Sequence, residues 1–353
     1  TYITQAGLKN SSAKLFPVNT VLVAMYGATA GQIGILRFEA TTNQAVCGIY
    51  PSNKLIPEFL FYCLLFKKDE LIKKATGNAQ PNISQKKIKD TKIPLILLEE
   101  QKQIVAILDE AFEGIDKAIE NAEKNLANAR EIFESYLNSI FINKGDDWVE
   151  KKLGDVCHKV EYGTSSKSQP QGDIPVLRMG NIQNGLIDWN NLVYTSNQDE
   201  INKYNLNYND VLFNRTNSSE HVGKSAIYKG EKPAIFAGYL IRIHRKNELI
   251  DAYFLNFYLN SSIARDYGRS VMSQSVNQAN INGTKLKSYP ISIPTLENQI
   301  EITEKLKNLI PEVQKLEAIY KRKIEALQEL KQSILQKAFT GELTNPTIKE
   351  EAA

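Results

Sequence analysis

The 353-residue sequence predicts an α+β protein. Two mixed α/β globular domains are separated by two long helices packed as an antiparallel coiled coil, in a pseudo-twofold internal repeat. Three observations lead there. First, the chain repeats itself at a constant offset of 198 positions, from Gln80 to Gln278 and from Phe141 to Phe339. Asn82, Ile83, Lys87 and Lys89 are matched by Asn280, Ile281, Lys285 and Lys287. Leu98, Glu99 and Gln101 are matched by Leu296, Glu297 and Gln299, and Leu137 by Leu335. Second, each copy passes from short β-like runs into one long helical stripe. Third, the stripes have equal length and the same place in the repeat, so packing them together buries both.

Residues 1–98 form the first domain. Its β-like runs are Thr20 to Met25 and Gln32 to Phe38, followed by an apolar helix near Glu58 to Phe66. Residues 99–144 are the first long helix. Its apolar positions, from Ile104, Leu108, Phe112 and Ile115 to Leu137, recur every three or four residues. Residues 145–297 are the second domain, opened by Trp148. Its strand candidates are Ile174 to Arg178, Asp210 to Phe213, Ala226 to Tyr228 and Tyr239 to Ile243, and a helix follows near Ala252 to Leu259. Residues 298–342 are the second long helix, with Pro311 predicting a kink or short break. Gly114 stands close to the equivalent place in the first helix, so both are expected to bend there. Gly341 is the expected stop, and residues 343–353 a frayed tail. Each helix has about 40 residues and spans roughly 60 Å.

The counterpart of Trp148 in the first copy would fall about fifty positions before Thr1, as the repeat offset requires. The start of the first domain is therefore expected to be missing, through truncation or as a natural half-site variant.

Composition excludes several classes. An apolar content of 42% and a charged content of 24% are ordinary for a globular protein. No apolar run is long enough to span a membrane. Cys47, Cys63 and Cys157 are unclustered and odd in number, which fits a reducing cytoplasm. Catalytic motifs are absent. Gly223, Lys224 and Ser225 resemble the end of a phosphate loop, but Ser218 stands where its first glycine belongs, and a strand rather than a helix follows. His158, His221 and His244 have no partners at metal-ligand spacing. There is no nucleophile elbow, and no glycine-rich cofactor loop with the aromatic motif of an amino-methyltransferase. The chain is expected to do no chemistry itself.

Its loops instead read as polar contact surfaces. A pseudo-twofold object suits duplex DNA, a common two-fold partner. Arg215, Thr216 and Asn217 follow a strand; Arg reads guanine, Asn reads adenine, and hydroxyls hold phosphates. Lys224 closes the same loop, and Arg178 and Asn181 belong to the polar part of that domain. At the same repeat position in the first copy lie Thr29 and Gln32, among glycines that let a phosphate approach the backbone. Different side chains at one repeat position suit two different half-sites. Lys86 and Gln278 lie in segments alike in both copies, which suits phosphate contact or docking on the helix. A paired-helix scaffold that binds only proteins is the competing reading.

Several stretches resemble the specificity subunit of type I restriction-modification systems. They are LKQSILQKAFTGEL from Leu330 to Leu343, IPLILLEEQKQIVAI from Ile93 to Ile107, Thr20 to Gly34, and Gly180 to Gly185 with Val211 to Lys224. The resemblance implies two target-recognition domains, each reading one half of a split site on double-stranded DNA. It implies helices that set the gap and dock methyltransferase (modification) subunits, two of them. Leu335, Phe339, Leu137 and Phe141 are the candidate docking residues, because apolar groups at a helix end must pack on the other helix, a partner subunit or the adjoining domain. Restriction/translocase subunits would join. S-adenosylmethionine, ATP and Mg would belong to those partners, with no cofactor in this chain.

Overall fold

The computed structural model describes residues 3–73, 82–275 and 278–343. Gln80 of the repeat and the tail beyond Leu343 lie outside the described residues. Two compact units emerge: residues 1–125 with 319–353, and residues 126–318. The long helices span Leu98–Ile142 and Leu296–Thr340, and each gives one end to each unit. The second helix begins before residue 298, where the Asn298 N–H donates to Thr295 Oγ1 at 3.4 Å. It runs through Pro311 without the expected break. The proline forfeits one backbone bond, to the Lys307 carbonyl, while its neighbours Ile310 and Val313 stay packed. Gly341, at φ +85°, ends the helix as its sequence position implied.

In the first unit, strands Ile33–Ile35, Val21–Ala24 and Val46–Ile49 form an antiparallel sheet with Val21–Ala24 at its centre. The Pro57–Phe66 helix is apolar on all sides because it is covered on two. Leu60 and Leu64 face the sheet, in a core with Val21, Val23 and Cys47. Phe59, Tyr62 and Cys63 face the long helices, against Ile104, Leu108, Phe112, Leu335 and Ala338. Lys331 donates to Asp116 at 2.6 Å. From Asp116 back to Ile104 the first helix therefore runs beside the second from Lys331 on to Ala338, antiparallel.

The second unit holds a six-stranded sheet in the order Cys157–Tyr162, Leu240–Arg245, Val211–Asn214, Ser225–Ile227, Gly185–Ile187, Ile182–Gln183. All pairs are antiparallel except Gly185–Ile187 with Ser225–Ile227. A smaller sheet joins Val193–Thr195, Ile174–Leu177 and Ile235–Phe236. The Ala252–Asn260 helix packs on the large sheet, and Leu137, Phe141 and Leu306 of the long helices share its core. Arg130 and Glu317 approach to 3.6 Å, so here too the helices run antiparallel.

One contact is the same in both units. Gln101 and Gln299 are wholly buried. The Ile56 N–H donates to Gln101 Oε1 (2.9 Å), and Gln101 Nε2 donates to the carbonyls of Lys54 (3.0 Å) and Ile96 (2.9 Å). The Asp251 N–H donates to Gln299 Oε1 (2.9 Å), and Gln299 Nε2 donates to the carbonyls of Leu249 (3.0 Å) and Pro294 (3.0 Å). Ile56 and Asp251 cap the two domain helices. The repeated glutamine thus fastens the start of each long helix to the start of a domain helix. Leucine there would leave one N–H and two carbonyls buried without partners, a loss of about 3 kcal/mol. Gln101→Leu is expected to speed amide hydrogen exchange in Pro57–Phe66, and Gln299→Leu in Ala252–Asn260. Unchanged exchange in the clamped helix would show the amide to be dispensable.

A second polar group is built into the large sheet. Arg242, 5% exposed, donates to Glu161 Oε2 (2.6 and 3.0 Å), Asp210 Oδ2 (3.0 Å) and the Asn205 carbonyl (2.7 Å). His244 Nε2 lies 2.9 Å from the same Glu161 oxygen. Burial alone would raise the Glu161 pKa; the hydrogen bonds from Arg242 and His244 override it and hold it at about 2. A depressed carboxylate stabilises the fold above its unfolded pKa of about 4.3 and loses that contribution as pH falls toward 2. Urea unfolding from pH 5 down to 2 should therefore show a falling stability that flattens in Glu161→Gln; parallel curves would place the acid sensitivity elsewhere.

Candidate functional site

The second unit carries a polar cleft of about 430 Å³. It is built at the loop between strands Val211–Asn214 and Ser225–Ile227. The Asn214 N–H donates to the Lys224 carbonyl, and the Gly223 N–H to the Asn214 carbonyl, each at 2.8 Å. Gly223 sits at φ +91°, which a side chain would strain. Gly223, Lys224 and Ser225 are therefore a hairpin closure, and the likeness to a phosphate loop is only of sequence.

The cleft gathers Arg178, Asn181, Asn217 and Lys224, four residues singled out from the sequence. Their roles divide. Lys224 is partly buried, and burial, with Arg265 nearby, pushes its pKa down. An anion bound there would relieve that cost. Asn217 Oδ1 accepts from the Ser218 N–H at 2.8 Å. Arg178 Nη2 donates to the Asn191 carbonyl (2.9 Å), which aims its guanidinium along the cleft wall.

Asn181 is a correction. It is 3% exposed; its Oδ1 accepts from the Arg178 N–H, and its Nδ2 donates to the carbonyls of Asp188 and Asn190. That amide shapes the cleft wall and has no donor left for a base. Thr216 is likewise 5% exposed; its Oγ1 accepts from Asn280 Nδ2 at 2.8 Å, and its strand pairs with Gln278–Asn280. Arg215, the leading candidate from sequence, does not line the cleft. Its Nη1 donates to the Gly238 carbonyl (3.0 Å), its guanidinium lies 4.9 Å from the Tyr162 ring, and its buried Nε has no partner. Gln278 is exposed at the start of the strand that pairs with Thr216. Gln183, Asp188, Asn190, Asn191 and His221 also line the cleft, with Met179, Gly180 and Ile182, and were not site candidates in the sequence. The signal was present in the Asn-rich turns: Asn184 and Asn191 adopt positive φ.

The first unit repeats the frame. The Ala24 N–H donates to the Gln32 carbonyl and the Gly31 N–H to the Ala24 carbonyl, each at 2.8 Å, with Gly31 at φ +78°. The Ile83 N–H donates to the Met25 carbonyl as the Ile281 N–H does to the Arg215 carbonyl. Gln32 thus occupies the place of Lys224, and Met25 that of Arg215. Thr29 and Gln32 are exposed, as is Lys86 on the Gln85–Lys89 helix.

Of the alternatives open for the four helix-end residues, the structure shows packing on the adjoining domain helices. Leu137 and Phe141 are buried in the second unit, where the Phe141 ring lies 5.3 Å from Phe254 and 5.6 Å from Tyr258. Leu335 is 1% exposed, and the Phe339 ring lies 5.7 Å from Phe59 and 5.5 Å from Phe66. Leu137, Phe141 and Leu335 are covered by the chain's own elements, while Phe339 is half-buried against the Pro57–Phe66 helix. Among the described residues no cluster of three or more His, Cys, Asp or Glu is placed to hold a metal ion, and no helix is long and apolar enough to cross a membrane.

Lys224→Ala is expected to weaken binding to duplexes of any sequence and to lower the salt slope by about 1. Asn181→Ala should instead cost about 2 kcal/mol of stability through the carbonyls it leaves unpaired. A Lys224→Ala variant with an unaltered salt slope would remove the anion-seat reading.

Comparison with known proteins gives one answer. The family model for the type I restriction modification DNA specificity domain matches residues 2–128 and 145–326. The type I restriction enzyme EcoKI specificity subunit of Escherichia coli is 26% identical over 363 residues, covering 96% of this chain and 77% of that protein. The MjaVIII specificity subunit of Methanocaldococcus jannaschii is 28% identical, covering 92% of this chain and 79% of that protein. A third match, to a protein of the same organism bearing the name MjaX specificity subunit, is 30% identical over 199 residues; it spans 55% of this chain and about half, 46%, of that protein. Among solved structures, one from work on assembly and conformational transition of the type I R-M system superimposes with a TM-score of 0.79 at 20% identity, over 95% of this chain and 86% of that one. The HsdS subunit from Thermoanaerobacter tengcongensis gives 0.59 at 20% identity, over 95% and 85%.

Proposed function

The chain belongs to the family of type I restriction modification DNA specificity domains, and we propose that it recognises a bipartite site on double-stranded DNA and directs partner subunits to it. One observation carries this reading. The two hairpin loops share a backbone frame down to the glycine that closes each, yet present Thr29 and Gln32 in one unit and Asn217 and Lys224 in the other. A fixed frame with unlike side chains is what two different half-sites require. Lys224 and Arg178 would supply anion contacts for phosphates, and Asn217, Gln183 and Asn190 bring amides to the cleft for base edges, each with one hydrogen bond already made inside the chain.

The chain itself performs no reaction in this reading. Two methyltransferase subunits, one per repeat, bring S-adenosylmethionine; restriction and translocase subunits bring ATP and Mg. The complex acts in the cytoplasm, where Cys47, Cys63 and Cys157, all unpaired, suit the reducing conditions.

The test selects duplexes from a random pool with the purified chain and sequences them. Two short motifs at a fixed gap are expected, and Asn217→Ala should relax one motif alone. Equal relaxation of both motifs would end the one-unit, one-half assignment. Failure to bind any duplex at low salt would leave the protein-only scaffold.

A further inference from the structure

The cleft of the second unit holds one group that phosphate binding does not call for. Asp188 is the single carboxylate among its lining residues. Among the described residues it forms no ion pair, although Arg178 and Lys224 line the same cleft. A duplex is a polyanion, so an unpaired carboxylate facing it weakens binding to every sequence. That penalty is offset only where a base supplies the missing partner.

The carboxylate is held in place from both ends. The Asp188 N–H donates to the Asn181 carbonyl (2.8 Å), and Asn181 Nδ2 donates back to the Asp188 carbonyl (2.8 Å). Asp188 Oδ1 accepts from the Asn190 N–H (3.0 Å) and from Asn190 Nδ2 (2.7 Å). Oδ2 accepts nothing from the described residues, and it is open to solvent. A turn uses one oxygen of such a side chain, and asparagine or serine supplies that oxygen equally well. The second oxygen is what the turn leaves unexplained.

The amides beside Asp188 are oriented alike. Gln183 Nε2 donates to the Gly180 carbonyl (3.1 Å) and Asn190 Nδ2 to Asp188, and both amide oxygens are left without partners among the described residues. The loop from Asn214 to Lys224 is oriented the opposite way. Asn217 Oδ1 accepts from the Ser218 N–H, which leaves Asn217 Nδ2 as a donor in the cleft that Lys224 also lines. The turns present acceptors, and the loop presents donors.

We propose that Asp188 is a base-discriminating residue, its Oδ2 accepting a hydrogen bond from the exocyclic amine of an adenine or cytosine in the major groove of the half-site that the second unit reads. This rests on the DNA reading above and adds a chemical class of base to it. In the major groove adenine N6 and cytosine N4 are donors, whereas thymine O4 and guanine O6 are acceptors. An amine completes the carboxylate. A carbonyl oxygen sets a second acceptor against it, and both groups then lose water without gaining a partner. Selection therefore works largely by refusal of thymine and guanine at that position. Every base pair carries one such amine, so Asp188 fixes which strand bears it and rejects the same pair with its two bases exchanged. Asn181, which holds the Asp188 backbone, is a positioning residue for this contact.

The test uses the whole 353-residue chain and two measurements. First, duplexes are selected from a random pool by the parent chain, by Asp188→Asn, by Asp188→Ser and by Glu220→Gln. Asparagine keeps an oxygen for the turn and puts an N–H donor in place of Oδ2. With Asp188→Asn, one position of one half-site should change from adenine or cytosine to guanine or thymine on the same strand, at an unaltered melting temperature. Asp188→Ser, which keeps a turn oxygen and has no second one, should lose the preference at that position. Glu220→Gln removes an equal charge close to Lys224 and should leave both half-sites as they are. Second, each adenine or cytosine of the selected half-site in turn loses its amine, through purine for adenine or 2-pyrimidinone for cytosine. At the same position the parent chain should bind at least about tenfold more weakly, and Asp188→Asn should show no such loss. Unchanged motifs in both Asp188 variants, a shift of that position by Glu220→Gln, or a parent chain indifferent to every amine deletion would overturn the proposal and leave the bipartite reading standing. Failure of the parent chain to select any duplex would overturn both.

Discussion

The buried glutamines, Gln101 and Gln299, are the joints on which both units depend. Each amide has one acceptor and two donors, and the three are met by one backbone N–H and two backbone carbonyls. Those backbone groups belong to the turn before a domain helix and to the segment entering a long helix. No other uncharged side chain of that length offers both an acceptor and two donors from one planar group. Glutamate would lack the donors, and leucine would lack everything. The amide therefore sets the angle at which a domain helix leaves its turn, and with it which face meets the sheet and which meets the long helices.

From those joints the rest follows in order. The Pro57–Phe66 and Ala252–Asn260 helices are fixed, and aromatic groups of the long helices close over them. The hairpin loops stand on these sheets, and along the loop after Val211–Asn214, Thr216 is buried while Asn217 and Lys224 reach the cleft. Arg242 performs a comparable service within the second unit. It ties Glu161, Asp210 and the Asn205 carbonyl together inside the sheet that carries the cleft loop.

The sequence made the repeat, the long helices and the fully buried strands legible. Val211–Asn214 and Ser225–Ile227 are buried along their whole length, and most of each lies in the runs Asp210 to Phe213 and Ala226 to Tyr228 read from sequence. Strand Cys157–Tyr162 was not legible: His158, Lys159 and Glu161 hide its pattern, because its polar partners are Arg242 and His244 on the next strand. Nor could sequence tell an amide that contacts a ligand from one that holds a turn, which is why Asn181 was assigned to binding. At Phe141 and Phe339 the sequence leaves a partner subunit and the adjoining domain both open. An apolar stripe at a helix end states that something covers it, and only packing reveals that the cover is the chain itself. Asn190 and Asn191 line the cleft, yet in sequence they read as turn-forming asparagines.

The apolar closures cross between copies. Leu137 and Phe141, which end the first copy, pack on the Ala252–Asn260 helix of the second, while Leu335 and Phe339, which end the second, pack on the Pro57–Phe66 helix of the first. One copy alone therefore carries a helix end fitted to a neighbour rather than to itself. Two separate halves would have to exchange helix ends, and their folding would depend on concentration. The continuous chain makes that exchange intramolecular, at an effective concentration set by the short connection around Gly145. It behaves as a swapped dimer made permanent by a peptide bond, so dilution does not separate its halves.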